Sequence, residues 1–392
     1  MSSQEFKQAP HKLLVIPGPI EVADDVLLAN AHPSMSHVSP DFVPVLGDCI
    51  KMVRKVLFAP DAQPVITAGS GTLGWDHVAS NVIEPGEDAL VLNSGYFGDS
   101  FAECLTTYGA KVDQIKAAIG SKPSLQEVEA KLKSKKYKVL TFTHVDTSTA
   151  VLSDAKGLGE LVKRISPETI LVLDGVCSVA SEEIRMQEWG IDVVLTASQK
   201  GLGCPPGLMI LAASPKAVSA FEKRKTPPNS YYASWAKWIP VMKAYDAGTG
   251  AYFGTPPTNL IYALHQSLTT ITTKSPSLEE RFKQHIAASD RIKNFIQGLG
   301  LEQLVADGIK DGAHGMTAVK FPPGLKAPDL LPKMVAKNVI VAAGLHKEVK
   351  ETYFRIGHMG VTVVNDKERG DIDHLLKSLE ESLAEAGYTP KK

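Results

Sequence analysis

Four side chains in this sequence stand where reactive chemistry is expected. Lys200 follows the apolar run Val193-Val194-Leu195-Thr196-Ala197 through Ser198-Gln199, and precedes Gly201, Gly203 and Pro205-Pro206-Gly207. A lysine so placed lies in or at a crevice, where partial burial disfavours the ammonium form and suits the amine to Schiff-base chemistry. Asp174 closes the run Ile170-Leu171-Val172-Leu173 just before Gly175, and a carboxylate at the carboxyl end of a central strand faces the ligand crevice of α/β folds. Pro64 to Thr72 passes from an apolar strand into Gly69-Ser70-Gly71-Thr72 as a helix begins. Free N–H groups at a helix start, approached closely past small residues, form an anion cradle. Arg355 sits between apolar neighbours in Tyr353-Phe354-Arg355-Ile356-Gly357, and arginine suits the two-point grip of a carboxylate. Each has an ordinary reading beside the chemical one: a loop lysine, a turn cap, a plain strand-to-helix connection, a structural ion pair.

The elements that must position these groups follow from hydrophobic pattern. Strands are predicted at Leu13–Ile16, Val65–Ala68, Ala89–Leu92, Val139–Phe142, Ile170–Leu173, Val193–Ala197 and Leu208–Leu211. All are short and apolar, and many are β-branched, as strands buried on both faces are. Helices are predicted between them. One follows Ser39-Pro40 with the stripe Phe42, Val45, Leu46, Cys49, Val53, Val56 and Leu57, and another opens at a Ser124–Glu127 capping box. Alternating strand and helix imply an α/β fold with a mostly parallel sheet. After about residue 275 the pattern changes to a long charged helix, Leu278 to Gly298, then weaker strands at Met316–Phe321, Val339–Ala342 and Tyr353–Ile356 and an amphipathic terminal helix. The expected division is therefore residues 1–275 as a large domain with an N-terminal arm and residues 276–392 as a smaller α+β domain.

Composition excludes several classes. Lys+Arg 42 against Asp+Glu 43 leaves a net charge of −1, with no electrostatic reason to bind nucleic acid or anionic membrane. The basic run Lys131 to Lys138 falls at the end of the capped helix, where cations complement the dipole. Cys49, Cys104, Cys177 and Cys204 are widely spaced without a CxxC pair, and the 11 histidines include no HExxH, so no metal site is expected. The glycine turn lacks P-loop and dinucleotide spacing, which speaks against a nucleotide site. Ala247 to Thr273 carries no Asp, Glu, Lys or Arg, yet its Pro256-Pro257, Asn259, His265 and many threonines suit interior or interface rather than a membrane span. A polar start without an apolar h-region, and an end at Tyr388 to Lys392 without a peroxisomal tripeptide, suggest a cytoplasmic protein, with peroxisome or mitochondrion as alternatives.

Taken together in chain order, these segments resemble class V aminotransferases of fold type I, and among them the alanine–glyoxylate aminotransferases. The likeness runs through Leu14-Val15-Ile16-Pro17-Gly18-Pro19-Ile20, Ser36-His37-Val38-Ser39-Pro40-Asp41-Phe42, Gly69-Ser70-Gly71-Thr72-Leu73-Gly74-Trp75 and Thr143-His144-Val145-Asp146-Thr147-Ser148-Thr149. It continues in Asp174-Gly175-Val176-Cys177-Ser178, Ser198-Gln199-Lys200, Tyr252-Phe253-Gly254-Thr255-Pro256-Pro257 and Arg355-Ile356-Gly357-His358-Met359-Gly360. The resemblance implies pyridoxal 5′-phosphate (PLP) as cofactor. Lys200 would carry it as a Schiff base and move the proton at the substrate Cα. Asp174 would pair with the ring nitrogen, Phe97 would stack on one ring face where relatives often use Trp, and Val176 would cover the other. Ser70, Gly71, Thr72 and Gln199 would hold the phosphate, with Tyr252 and Thr255 lent by the partner subunit of a homodimer. Ser148 would contact cofactor and substrate, and Arg355 with the backbone at Gly18 would take the substrate carboxylate. The implied reaction is ping-pong: L-alanine becomes pyruvate and glyoxylate becomes glycine. Serine–pyruvate or serine–glyoxylate transamination is the alternative within the family, and a non-catalytic dimeric binding protein the alternative outside it. A cysteine desulfurase is disfavoured because no Cys follows Cys204.

Overall fold

The computed structural model describes residues 6–390; residues 1–5 and 391–392, which carry part of the targeting expectation and the outer ends of both expected domains, lie outside it. The strands are β1 (Leu13–Leu14), β2 (Gln63–Ala68), β3 (Asp88–Asn93), β4 (Lys111–Lys116), β5 (Val139–Thr143), β6 (Val145–Asp146) and β7 (Val151–Leu152). They continue with β8 (Ile170–Asp174), β9 (Val193–Ala197), β10 (Leu208–Ala213), β11 (Met316–Lys320), β12 (Val339–Ile340), β13 (Ala342–Ala343) and β14 (Tyr353–Gly357). A seven-stranded sheet in the order β2-β10-β9-β8-β5-β3-β4 forms the centre. β10 runs antiparallel to both its neighbours and the other pairings are parallel, so β2, β5, β8 and β9 all end on one side of the sheet. The chain is α/β, as the alternation of elements predicts.

β5, β8, β9 and β10 are buried along their whole length, which explains their largely apolar sequences. Two expectations change. The seventh strand of this sheet is β4, Lys-Val-Asp-Gln-Ile-Lys, which lies at an edge with half its residues exposed and so shows no apolar run. The strand predicted at Leu13–Ile16 is not in this sheet; β1 pairs in parallel with β12 instead.

Around the sheet, Leu46, Ile50, Val53 and Val56 bury one face of the helix Val43–Val56, which begins at Val43, past the Ser39-Pro40 signal. This helix packs beside the helix Thr258–Thr273, whose Ile261, Leu264, Leu268 and Ile271 are buried, so the uncharged stretch is in part interior. Ser124 and Glu127 form the expected capping box. The long helix Leu278–Gly298 leads to a second core, where Ile292 and Ile296 meet Phe354, Ile356, Leu375 and Leu379 under the three-stranded sheet β11-β14-β13. Leu13 and Val15 belong to this second core, so the N-terminal arm packs against residues from Ala288 onward. No helix among the described residues is long and apolar enough to cross a membrane.

Candidate active site

The carboxyl ends of β2, β5, β8 and β9 enclose a cavity of about 210 Å³. Nine of the thirteen residues singled out in the sequence line it: Gly18, Ser70, Gly71, Thr72, Phe97, Asp174, Val176, Gln199 and Lys200. Trp75, Thr143, Val145 and Thr147 complete the wall. A larger cleft of about 700 Å³ lies elsewhere, between Lys122, Asp154, Trp189 and Phe282. Its one buried carboxylate, Glu182, is already paired with His314 at 2.7 Å, and His144 of the Thr143–Thr149 run lines that cleft rather than the smaller cavity.

Asp174 is the last residue of β8, and burial pushes its carboxyl up to about 6, against the lowering effect of two donors and of Lys200. The Val176 N–H donates to Oδ1 at 3.0 Å and the Trp75 indole N–H to Oδ2 at 2.8 Å. Lys200 is buried, and desolvation lowers its ammonium below the usual lysine range, with the Arg355 charge adding to the fall. Its Nζ donates to the Pro17 carbonyl. The chain takes φ +119° at Gly18, where a Cβ would stand 2.3 Å from Lys200 Cδ, so glycine is required both by the backbone and by the lysine packed over it. Buried Arg281 reaches across from the long helix and donates to the carbonyls of Ala180 and Gly201, fixing the loop that carries Lys200.

Ser70, Gly71 and Thr72 form the start of the helix Thr72–Asn81; the Leu73 and Gly74 N–H groups already donate to the Ser70 and Gly71 carbonyls at 3.0 and 2.9 Å, so the N–H groups of Gly71 and Thr72 are the ones left to an anion. A Cβ on Gly71 would meet Val176 Cγ2 at 2.6 Å, so the wall closes on the bare backbone. The Gln199 Oε1 is buried without a partner; an amide oxygen only accepts, so it is the Nε2 hydrogens of this side chain that suit a phosphate.

Phe97 is set by buried Asp146, which accepts the backbone N–H groups of Phe97 at 3.2 Å and Gly98 at 3.4 Å at the start of the helix Tyr96–Thr107. Ser148 is placed differently from expectation. Its hydroxyl donates to Asp146 at 2.6 Å and accepts the Tyr96 N–H at 3.0 Å, and Thr147 rather than Ser148 lines the cavity. Arg355, on β14, stands beside the cavity without lining it; its Nε donates to the Ala343 carbonyl at 2.8 Å and Nη1 to the Thr147 carbonyl at 3.2 Å. Two residues earlier, the Tyr353 hydroxyl donates to the Ser148 carbonyl and accepts the N–H groups of Leu345 and His346. Strand period two puts both side chains on one face, so β14 holds the two successive carbonyls of Thr147 and Ser148. Tyr252 is 64% exposed and lies against the His37 ring, and neither it nor Thr255 lines this chain's cavity.

The residues fit a pyridine cofactor with a phosphate: one cavity is lined by a buried acid, a helix start with a side-chain amide, and a desolvated lysine amine. That combination on this sheet defines a fold type I PLP-dependent enzyme. The description "Aminotransferase class-V" matches residues 24–373, and the chain belongs to that family of PLP-dependent aminotransferases. It is 41% identical to alanine–glyoxylate aminotransferase 1 of Saccharomyces cerevisiae over 90% of this chain and 93% of that one. It is 29% identical to L-aspartate–glyoxylate aminotransferase of Paracoccus denitrificans over 88% of this chain and 86% of that one. The crystal structure of an alanine–glyoxylate aminotransferase from Nostoc sp. superposes with a TM-score of 0.88 at 27% identity, covering 96% of each chain.

Trp75, Thr147 and Asp146 make contacts at the cavity that sequence reasoning did not assign. Asp146 had a usable signal, because an Asp two residues before a Ser is an Asx-turn pattern. The Trp75 contact spans 99 positions and has no local signature.

Proposed function

We propose that this aminotransferase moves the amino group of L-alanine to glyoxylate in a ping-pong cycle, giving pyruvate and then glycine. The 41% identity to the yeast enzyme across nearly the whole of both chains carries this reading. The acceptor is supported by two relatives, since both the yeast and the Paracoccus proteins are named for glyoxylate, while their named donors differ. Serine in place of alanine remains the second donor reading.

The residues divide the work. Arg355, already held by two carbonyls, presents its remaining N–H groups to the substrate α-carboxylate. Asp174 would hold a proton on the ring nitrogen, and the cofactor, when bound, would supply an electron sink for the bond broken at Cα. Lys200, a poor ammonium in its buried setting, takes the Cα proton and returns it. Phe97 and Val176, both on the cavity wall, would cover the faces of the ring, and Ser70, Gly71, Thr72 and Gln199 would hold the phosphate. Tyr252 and Thr255 reach the site of a second copy, so the working unit is a homodimer.

The test is the absorption spectrum of the purified protein with PLP. We expect a yellow form that fades with L-alanine and returns with glyoxylate, and a slower fade with L-serine or L-aspartate. A yellow protein indifferent to L-alanine would discard the donor, and one that takes up no PLP would discard the whole reading.

A further inference from the structure

Trp75 is the fourth residue of the helix Thr72–Asn81, one turn beyond the backbone that faces the phosphate end of the cavity. It is 5% exposed, lies parallel to Phe101 with centroids 5.3 Å apart, and meets Phe97 edge-on. Two aromatic contacts therefore fix the indole, and its N–H donates to Asp174 Oδ2 at 2.8 Å. An indole N–H can only donate, so unlike a hydroxyl or an imidazole it cannot turn to suit a protonated acid. With the Val176 N–H on Oδ1, each oxygen of Asp174 has one donor, and each keeps acceptor capacity.

We infer that Trp75 is a positioning residue for the cofactor: its indole N–H fixes the Asp174 carboxylate as an acceptor aimed at the ring nitrogen of PLP. The same short helix then serves both ends of the cofactor, its first backbone N–H groups at the phosphate and its first-turn side chain at the acid. This rests on the PLP reading of the cavity. Without the indole N–H, Asp174 keeps the Val176 donor alone, beside the buried charge of Asp146. Its ionised form is then less favoured and its orientation looser, and the pairing with a protonated ring weakens.

The experiment compares the full chain with Trp75→Phe for equilibrium binding of two probes: PLP, and its 1-deaza analogue, in which a C–H replaces the ring nitrogen. We expect Trp75→Phe to weaken PLP roughly tenfold or more, the range set by a hydrogen bond to a charged group. The deaza analogue, which offers Asp174 no ring N–H, is expected to bind parent and variant alike. Should Phe leave too large a gap to fold around, β-(3-benzothienyl)alanine at position 75 keeps the bicyclic ring and removes only the N–H. Unchanged PLP affinity overturns the inference. So does equal weakening of both probes, which would make Trp75 a wall of the cavity and nothing more. A parent chain that binds neither probe is a different result, since it removes the cofactor reading beneath.

Discussion

Asp174 bears a charge that its surroundings oppose, and this makes cofactor retention sensitive to pH. Burial raises its carboxyl from 3.8 to about 6, with the Asp146 charge adding to the rise and Lys200 and two N–H donors opposing it. Above pH 6 the group is an anion able to pair with a protonated ring nitrogen; below it, the acid is neutral and that pairing is lost. We expect PLP affinity to fall as pH drops through 6, by up to about tenfold per unit. The phosphate itself titrates near 6, so the diagnostic quantity is the difference between the parent and Asp174→Asn. Phosphate titration survives that substitution, whereas the extra slope should vanish; parallel binding curves would remove Asp174 from the ring nitrogen. At this scale the sequence revealed residue types better than their directions. Lys200, Asp174 and the glycine turn announce themselves through apolar runs that end on them. The choice between Thr147 and Ser148 does not, because one position along a turn reverses which hydroxyl meets the cavity and which is consumed by Asp146.

Among the elements, β14 and the segment after β1 matter most, because they bring Arg355 and Gly18 to the same rim. Their approach is close: the Gly357 N–H donates to the Val15 carbonyl at 2.8 Å, and a Cβ on Gly357 would fall 2.0 Å from the Ile16 carbonyl oxygen. Gly357→Ala must push the two backbones apart, at a cost of about 1–3 kcal/mol for an overpacked site. We expect its melting temperature to drop by a few degrees, and KM for L-alanine to rise as Arg355 shifts with its strand. A wild-type KM would show that the carboxylate grip does not depend on this contact. The same scale shows why β4 escaped prediction. A strand buried on both faces writes itself as an apolar run, while an edge strand is read through alternation, and Lys111 to Lys116 is too short and too charged to display it. The pairing of β1 with β12 was invisible for a different reason, since two short apolar segments carry nothing that names their partner.

For the whole molecule, one copy furnishes nine of the expected residues around the cavity while leaving Tyr252 and Thr255 off its wall. A mixture answers whether a second copy completes the site. Lys200→Ala and Tyr252→Ala are each expected to be nearly inactive, and unfolding and refolding them together should restore part of the parent activity. A mixed dimer would hold one site with both lesions and one with neither. No recovery, with dimers present by mass, would return Tyr252 to a role within its own subunit. The route by which such a subunit is made follows from β1. Leu13 pairs with Val339, so the first of these strands emerges from the ribosome 326 residues ahead of its partner. At about 5–20 residues per second, that is roughly 16 to 65 seconds of waiting. Throughout it, the central sheet can assemble, but Pro17 and Gly18 have no settled place beside Lys200. The pocket therefore matures at the end of synthesis, and a chain released early would own the lysine without the rim that receives it.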